Sequence, residues 1–321
     1  MNDMGGQADA NDALPRVAVL GAGLMGHAIA QVFAVAGADV RVWDPDPVAL
    51  ADLPGRIAQN LEALGKDRTV EVQLCETLAA AVAGSDLVCE AAPERLEVKK
   101  DLVRQVEEVE SGCVFATNTS VLRISEIAAE ALAPERIVGV HWWNPPHLIR
   151  VVEVVAGENT SADTLARVEG WLCAAGKMPV PVCDAPGFVG NRMQFALLRE
   201  AVRIVEEGIA TPDTVDLVAR ETIGRRWGAV GPLESADYIG LDLVDEIMTY
   251  LSPSLSREIT TPQLLRDRVQ EGRLGAKTGG GIFDWPDGAR ARVTDRLRRH
   301  LVGDPLRTGG QREEQGKEGV A

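Results

Sequence analysis

The chain is poor in the residues that usually advertise a site. Cysteine occurs only at Cys75, Cys89, Cys113, Cys173 and Cys183, never as a C-x-x-C pair. So dispersed and odd a set excludes a disulfide framework and reads as reduced thiols, mostly core filler. No metal centre is expected. Positive charge is scarce as well: 33 Lys and Arg stand against 48 Asp and Glu, a formal net charge of −15. A polyphosphate would be repelled, so nucleic acid is not an expected partner, and an anionic ligand must be met by a local set of donors. Long apolar runs are also missing. The longest, around Leu24 to Ala36, is broken by His27, Gln31 and glycine, and is too short to span a bilayer. The opening "MNDMGGQADANDALP" lacks the basic and apolar regions of a secretory signal. The expectation is a cytoplasmic protein with no membrane partner.

What is present suits a globular protein. With 321 residues, 45% of them hydrophobic, the chain can build one large or two moderate domains. Short apolar runs, "RVAVLG", "ADVRVWD", "DLVCEAA", "CVFATNTS", "IVGVHWW", "IRVVEVVAG" and "VPVPVCDAPG", alternate for the most part with helical patterns. That order predicts an α/β domain, a mostly parallel sheet with helices on its faces. After Gly187 the pattern changes: "FVGNRMQFALLREAVRIVEEGIAT", "PDTVDLVARETI" and "DLVDEIMTYL" read as amphipathic helices, and no strand alternation returns. The boundaries predicted are a disordered arm over 1–14, a nucleotide-binding domain over 15–185, an all-helical C-terminal domain over 186–302 and a disordered tail over 303–321.

The first strand runs into G-x-G-x-x-G at Gly21, Gly23 and Gly26, and a helix opens there. Gly21 permits a tight turn, Gly23 lets backbone approach a pyrophosphate, and Gly26 lets helix and strand pack closely. The N–H groups of Ala22, Leu24 and Met25 and the helix N-terminus then supply positive character to an anion. Asp44 closes the second strand, where a carboxylate bonds an adenosine ribose and repels a 2′-phosphate; Asp46 adds to that repulsion. A Rossmann-like domain holding NAD rather than NADP follows.

Glu153 stands among valines in "IRVVEVVAG", on the strand face of Val151 and Val155. Such a carboxylate either lies on a wet edge or is buried with a partner. His141, in "GVHWWNP", is the candidate partner, and the residues alone leave both readings open. Trp142 and Trp143 read as core or pocket wall, and His27 and His300 as structural or surface residues.

The ordered motifs "GAGLMGHAIA", "EAAPERLEVKK", "TNTSVLRISEIA", "PERIVGVHWWNPPHLIRVVEVV", "DAPGFVGNRM", "GPLESADYIGLD" and "GRLGAKTGGGIFDW" resemble the 3-hydroxyacyl-CoA dehydrogenase family from Arg16 to about Pro286. The resemblance implies a Rossmann-like domain, a helical second domain and a homodimer. It implies NAD-dependent oxidation of the 3-hydroxyl of a 3-hydroxyacyl thioester, the chemistry of fatty acid metabolism. His141 matches the base and Glu153 the carboxylate that orients it, one strand carrying each. Ser120 and Asn191 match the residues that hold the reacting oxygen. Asn144, Asn118, Glu94, Lys99 and Lys277 match cofactor contacts.

Some features point within the family to a free 3-hydroxy acid, as in the gulonate and carnitine dehydrogenases. The segment from Pro45 to Gly84 is short, with Arg56, Lys66 and Arg68 as its central cations, so a CoA phosphate finds few partners there. "GRRWGAVGPLE" places Arg226 where it can pair with a substrate carboxylate. The "KTGGGIFDW" and "NTSVLRIS" segments look closer to the thioester side. A structural NAD-binding protein, like the lens crystallin of this fold, is countered by the joint presence of Ser120, His141, Glu153 and Asn191. A lysine-dependent β-hydroxyacid dehydrogenase is countered by "GFVGN" at 187–191, which lacks that group's lysine.

Overall fold

The computed structural model describes residues 14–66 and 68–303. The arm and tail expected at 1–14 and 303–321 therefore lie, apart from residues 14 and 303, outside the described residues. The described chain divides into two compact units, one ending at Asn191 and resuming at Arg298, the other running Arg192–Leu297.

The first unit is built on one eight-stranded sheet in the order β3-β2-β1-β4-β5-β6-β7-β8. Its strands are β1 (Val17–Leu20), β2 (Val40–Trp43), β3 (Gln73–Leu74), β4 (Leu87–Glu90), β5 (Val114–Thr117), β6 (Ile137–Trp142), β7 (Val151–Ala156) and β8 (Met178–Cys183). Every neighbouring pair is parallel except β6 and β7, which are antiparallel. The helices between them are α1 (Gly26–Ala36), α2 (Pro47–Ala63), α3 (Leu78–Val82), α4 (Leu96–Val109), α5 (Ile124–Ile127) and α6 (Ala162–Ala174). Strands β1, β4 and β5 are buried along their whole length, as parallel strands covered on both faces must be. Alternate side chains feed two cores. One gathers Val17, Val19, Phe33, Val42 and Trp142; the other gathers Ala18, Leu20, Phe115, Ile124 and Phe188.

The helix ends follow from local chemistry. Gly37 closes α1 at φ 103° and returns its N–H to Phe33 and Ala34, a conformation glycine adopts without a Cβ penalty. Asp46 caps α2 through Val48 N, with Pro47 in the first turn, and Ser161 caps α6 through Thr164 N.

The second unit takes up α7 (Gly190–Glu206), which opens in the first unit. It continues with α8 (Pro212–Val218), a π-helical turn (Ala219–Gly224) leading into α9 (Arg225–Trp227), α10 (Pro232–Ile239), α11 (Leu241–Leu251), α12 (Gln263–Gln270) and most of α13 (Ala289–Val302). The division thus falls inside α7, a few residues beyond the boundary expected between 185 and 186. Isolated bridges at Gly275–Gly280 and Gly280–Asp284 are the sheet-like pairings among its described residues. Val202 is its one buried apolar side chain among the described residues. No helix among the described residues is long and apolar enough to cross a membrane. Of the cysteines, Cys75, Cys89 and Cys113 are buried thiols, whereas Cys173 and Cys183 are exposed and are not core filler.

Candidate active site

The antiparallel pairing of β6 and β7 makes His141 and Glu153 direct cross-strand partners. Both are buried, and His141 Nδ1 lies 2.6 Å from Glu153 Oε2. The wet-edge alternative for Glu153 is thereby removed. Its other oxygen, Oε1, accepts main-chain N–H groups from Val189 at 3.1 Å and Gly190 at 3.0 Å. The His141 ring is walled by Trp143, 5.0 Å between centroids, and Phe188, 5.7 Å. Trp142 points to the opposite core, edge-on to Phe33. An imidazole held through Nδ1 by a carboxylate keeps its proton there and presents Nε2 as an acceptor.

The loop after β5 carries Asn118 and Ser120. Asn118 Oδ1 accepts the N–H of Trp142, which ties this loop to the residue following His141. Glu94 Oε1 accepts from the Thr119 hydroxyl at 2.5 Å and from the N–H groups of Ser120 and Val121. Asn191 Nδ2 donates to Ser120 O at 2.8 Å. Ser120, Asn191, His141 and Glu153 therefore belong to one bonded and packed neighbourhood. Burial works against the Glu94 charge, yet the Thr119 hydroxyl, Lys99 and the two N–H donors outweigh it and hold the carboxyl below its usual range.

Lys99 has an interior place. It is fully buried and donates to both oxygens of Glu90, at 2.8 and 2.9 Å, with Glu94 Oε2 at 3.5 Å. Glu90 also accepts from the Thr117 hydroxyl and Ala92 N. The Lys99 ammonium group thus links two acids, Glu90 and Glu94. Glu90 ends a buried strand, and an acid in that place is the sequence signal for such a partnered carboxylate.

The glycine turn fits a dinucleotide. Gly21 adopts φ 109°, and a Cβ there would come within 2.7 Å of Ala91 O; a Cβ on Gly26 would stand 1.7 Å from Gly21 O. A Cβ on Gly23 would meet nothing within 4 Å, so that side is open to a phosphate. Leu24 is exposed, and the α1 N-terminus at Met25 has no side-chain cap. Asp44 Oδ2 accepts Ala22 N at 2.6 Å, and its other oxygen accepts Asp46 N. Arg56, which gave no signal in the sequence beyond its charge, turns inward. It donates to Ala22 O and Gly23 O, and lies 2.7 Å from Nδ1 of His27. Burial, with Arg56 adding to it, holds the His27 imidazolium below its usual range against the opposing bond to Gly23 O.

Asn144 is exposed just after Trp143. Lys277 lies between α12 and α13, and Arg226 is in α9; both belong to the second unit. Arg225 pairs with Glu221, whereas Arg226 faces no carboxylate partner among the described residues.

A mostly parallel sheet with this glycine turn after its first strand defines a dinucleotide-binding domain of the Rossmann type. The sequence model of the 3-hydroxyacyl-CoA dehydrogenase NAD-binding domain matches residues 16–185, and that of the family's C-terminal domain matches 187–285. The chain belongs to the 3-hydroxyacyl-CoA dehydrogenase family, binds NAD and is a dehydrogenase of CH–OH groups. It is 33% identical to the 5-formyl-3-hydroxy-2-methylpyridine 4-carboxylate 5-dehydrogenase of Mesorhizobium japonicum, over 88% of this chain and 95% of that one. A solved structure of an enzyme of that name, described as an NAD+-dependent dismutase, superimposes with a TM-score of 0.85 at 32% identity, covering 90% of this chain and 97% of that chain. The probable 3-hydroxybutyryl-CoA dehydrogenase of Bacillus subtilis is 36% identical over 85% of this chain and 98% of its own length. The L-carnitine dehydrogenase of Nocardiopsis dassonvillei is 36% identical over 81% and 84%.

Proposed function

We propose that the chain oxidises the hydroxyl of a 3-hydroxy compound to the 3-oxo product, with His141 as the base. The bond between His141 Nδ1 and Glu153, 2.6 Å long in a buried setting, carries this reading. NAD, when bound, accepts the hydride. Nε2 of His141 takes the hydroxyl proton, and Glu153 faces the imidazolium that results. Ser120 and Asn191 hold the reacting oxygen. Gly21 to Gly26, Asp44, Glu94, Asn118, Ser120, Asn144 and Lys277 are assigned to NAD, with Lys99 acting on it through its ion pair with Glu94.

For the group beyond the reacting carbons we take a free 3-hydroxy acid over the thioester expected from the sequence. Arg56, a central cation of the short segment after β2, is committed to the glycine turn and not to a CoA phosphate. We assign Arg226, as a bidentate donor, to the substrate carboxylate. The likeness to enzymes named for carnitine and for a pyridine carboxylate supports the same choice. The thioester reading keeps the likeness to acyl-CoA enzymes. NADH formation measured on 3-hydroxybutyryl-CoA, carnitine and gulonate separates the two. Turnover of the CoA ester alone would overturn the free-acid choice, and no turnover of any hydroxy compound would overturn the function.

We further propose a cytoplasmic homodimer. The second unit leaves Leu233, Tyr238, Leu241, Tyr250 and Ile259 exposed, with Ile259 at 99%. So much exposed apolar surface favours a second copy as its cover. Light scattering across protein concentration tests this, and a monomer at every concentration would refute it.

A further inference from the structure

Glu153 receives donors from a turn whose backbone is under strain. Gly187 at φ 74° and Phe188 at φ 50° are both left-handed, and Phe188 is the one non-glycine residue with positive φ among the described residues. A bulky side chain in that region is disfavoured by its Cβ and persists only where its surroundings enforce it. Here the enforcement is visible. Phe188 is buried, packs its ring on His141, and donates its N–H to Ala185 O. Asp184, just before the turn, accepts the N–H groups of Ile124 and Ser125 and so anchors it. The left-handed pair aims the next two N–H groups, of Val189 and Gly190, at Glu153 Oε1. Gly190 has no room for a side chain, because a Cβ would fall 2.0 Å from Cζ2 of Trp143.

We infer that the main-chain N–H groups of Val189 and Gly190 are positioning donors of the reaction, set by the Phe188 turn and by the fit of Gly190 beneath Trp143. They occupy one carboxylate oxygen so that the other can face only His141 Nδ1. The imidazole is then fixed in ring angle and tautomer before substrate arrives. The inference rests on the reading of His141 and Glu153 as the base pair. It also assigns Trp143 a second task, as the lid that keeps residue 190 a glycine.

The test removes one donor at a time. An α-hydroxy acid placed at position 189 or 190 by nonsense suppression replaces that N–H by an ester oxygen and leaves the side chain intact. The low-field proton resonance of the His141–Glu153 bond is read in the free enzyme, and kcat and NAD affinity are measured beside it. The expected result is a moved or broadened resonance, NAD affinity unchanged, and kcat lower by roughly 10- to 100-fold, the scale of a misplaced catalytic group. Gly190→Ala should do the same, and Trp143→Phe added to it should restore most of kcat, because the phenyl ring lacks the atoms that collide. A loss confined to thermal stability would mark the turn as merely structural. Unchanged resonance and kcat in both ester variants would overturn the inference. A moved resonance with full turnover would instead sustain the donors' hold on Glu153 and overturn the base reading beneath it.

Discussion

Glu153→Gln is the most informative single change, because the carboxylate has two different obligations. Oε2 faces His141 Nδ1 and Oε1 accepts two N–H groups. Glutamine keeps the shape but offers one acceptor oxygen and one NH2 donor. If its oxygen serves the two N–H groups, the NH2 faces His141, and the imidazole must accept through Nδ1 and carry its proton on Nε2. That tautomer is no base. If the oxygen faces His141, the NH2 opposes two part-buried N–H donors, each left without its charged acceptor, at up to about 1.5–3 kcal/mol. The first arrangement therefore wins, and it is the inactive one. Wrong-tautomer substitutions in serine proteases cost about 10⁴ in kcat, and loss of a single charge-assisted bond costs about 10 to 100. A fall in kcat on the order of 10³ is expected here. NADH formation by absorbance gives the rate, calorimetry with NAD gives the cofactor affinity, and ¹⁵N shifts of His141 report the tautomer. NAD affinity should be retained and the ring proton should move to Nε2. A variant that turns over like its parent, with the proton still on Nδ1, would refute the reasoning.

Three other outcomes follow. Asp44→Ala removes the acid at the end of β2, so the preference for NAD over NADP should shrink by about tenfold or more; an unchanged ratio of kcat/KM values would place the ribose elsewhere. Gly26→Ala puts a Cβ 1.7 Å from Gly21 O, so NAD binding by calorimetry should be lost or the fold should fail in circular dichroism, and a variant that binds NAD normally would contradict the turn. Glu94 has a depressed pKa in the folded protein, so its stabilising part is complete above the ordinary glutamate range and is lost as pH falls through the lower folded value. The Tm gap between the parent and Glu94→Gln should therefore close progressively on acidification below that range; a gap that widens would reverse the sign of the coupling.

Much of the fold could be read from the residues. The short apolar runs of β1, β4 and β5 declare strands covered on both faces, and the glycines after β1 declare the turn. The valine run of β7 declares a strand but not its direction, since parallel and antiparallel strands bury the same letters. His141 and Glu153 stand out as polar residues in apolar surroundings, yet nothing local says they are register partners. Other features were illegible for physical reasons. A lysine in a helix such as α4 does not announce that it is fully buried under two acids. Arg56 bonds carbonyl oxygens of a remote turn, and no spacing encodes that. The donors from Val189 and Gly190 are main-chain groups, which every residue but proline carries.

The antiparallel step in an otherwise parallel sheet has an evolutionary consequence. Residues opposite one another across two adjoining strands keep their pairing whatever the length of the segment between the strands. The stretch from Trp143 to Arg150 joins β6 to β7, so its length can drift, and with it the shape of whatever rests against it. A shift of β7 by a single residue would send residue 153 to the other side of the sheet. Parity, and not distance along the chain, is what selection must guard here.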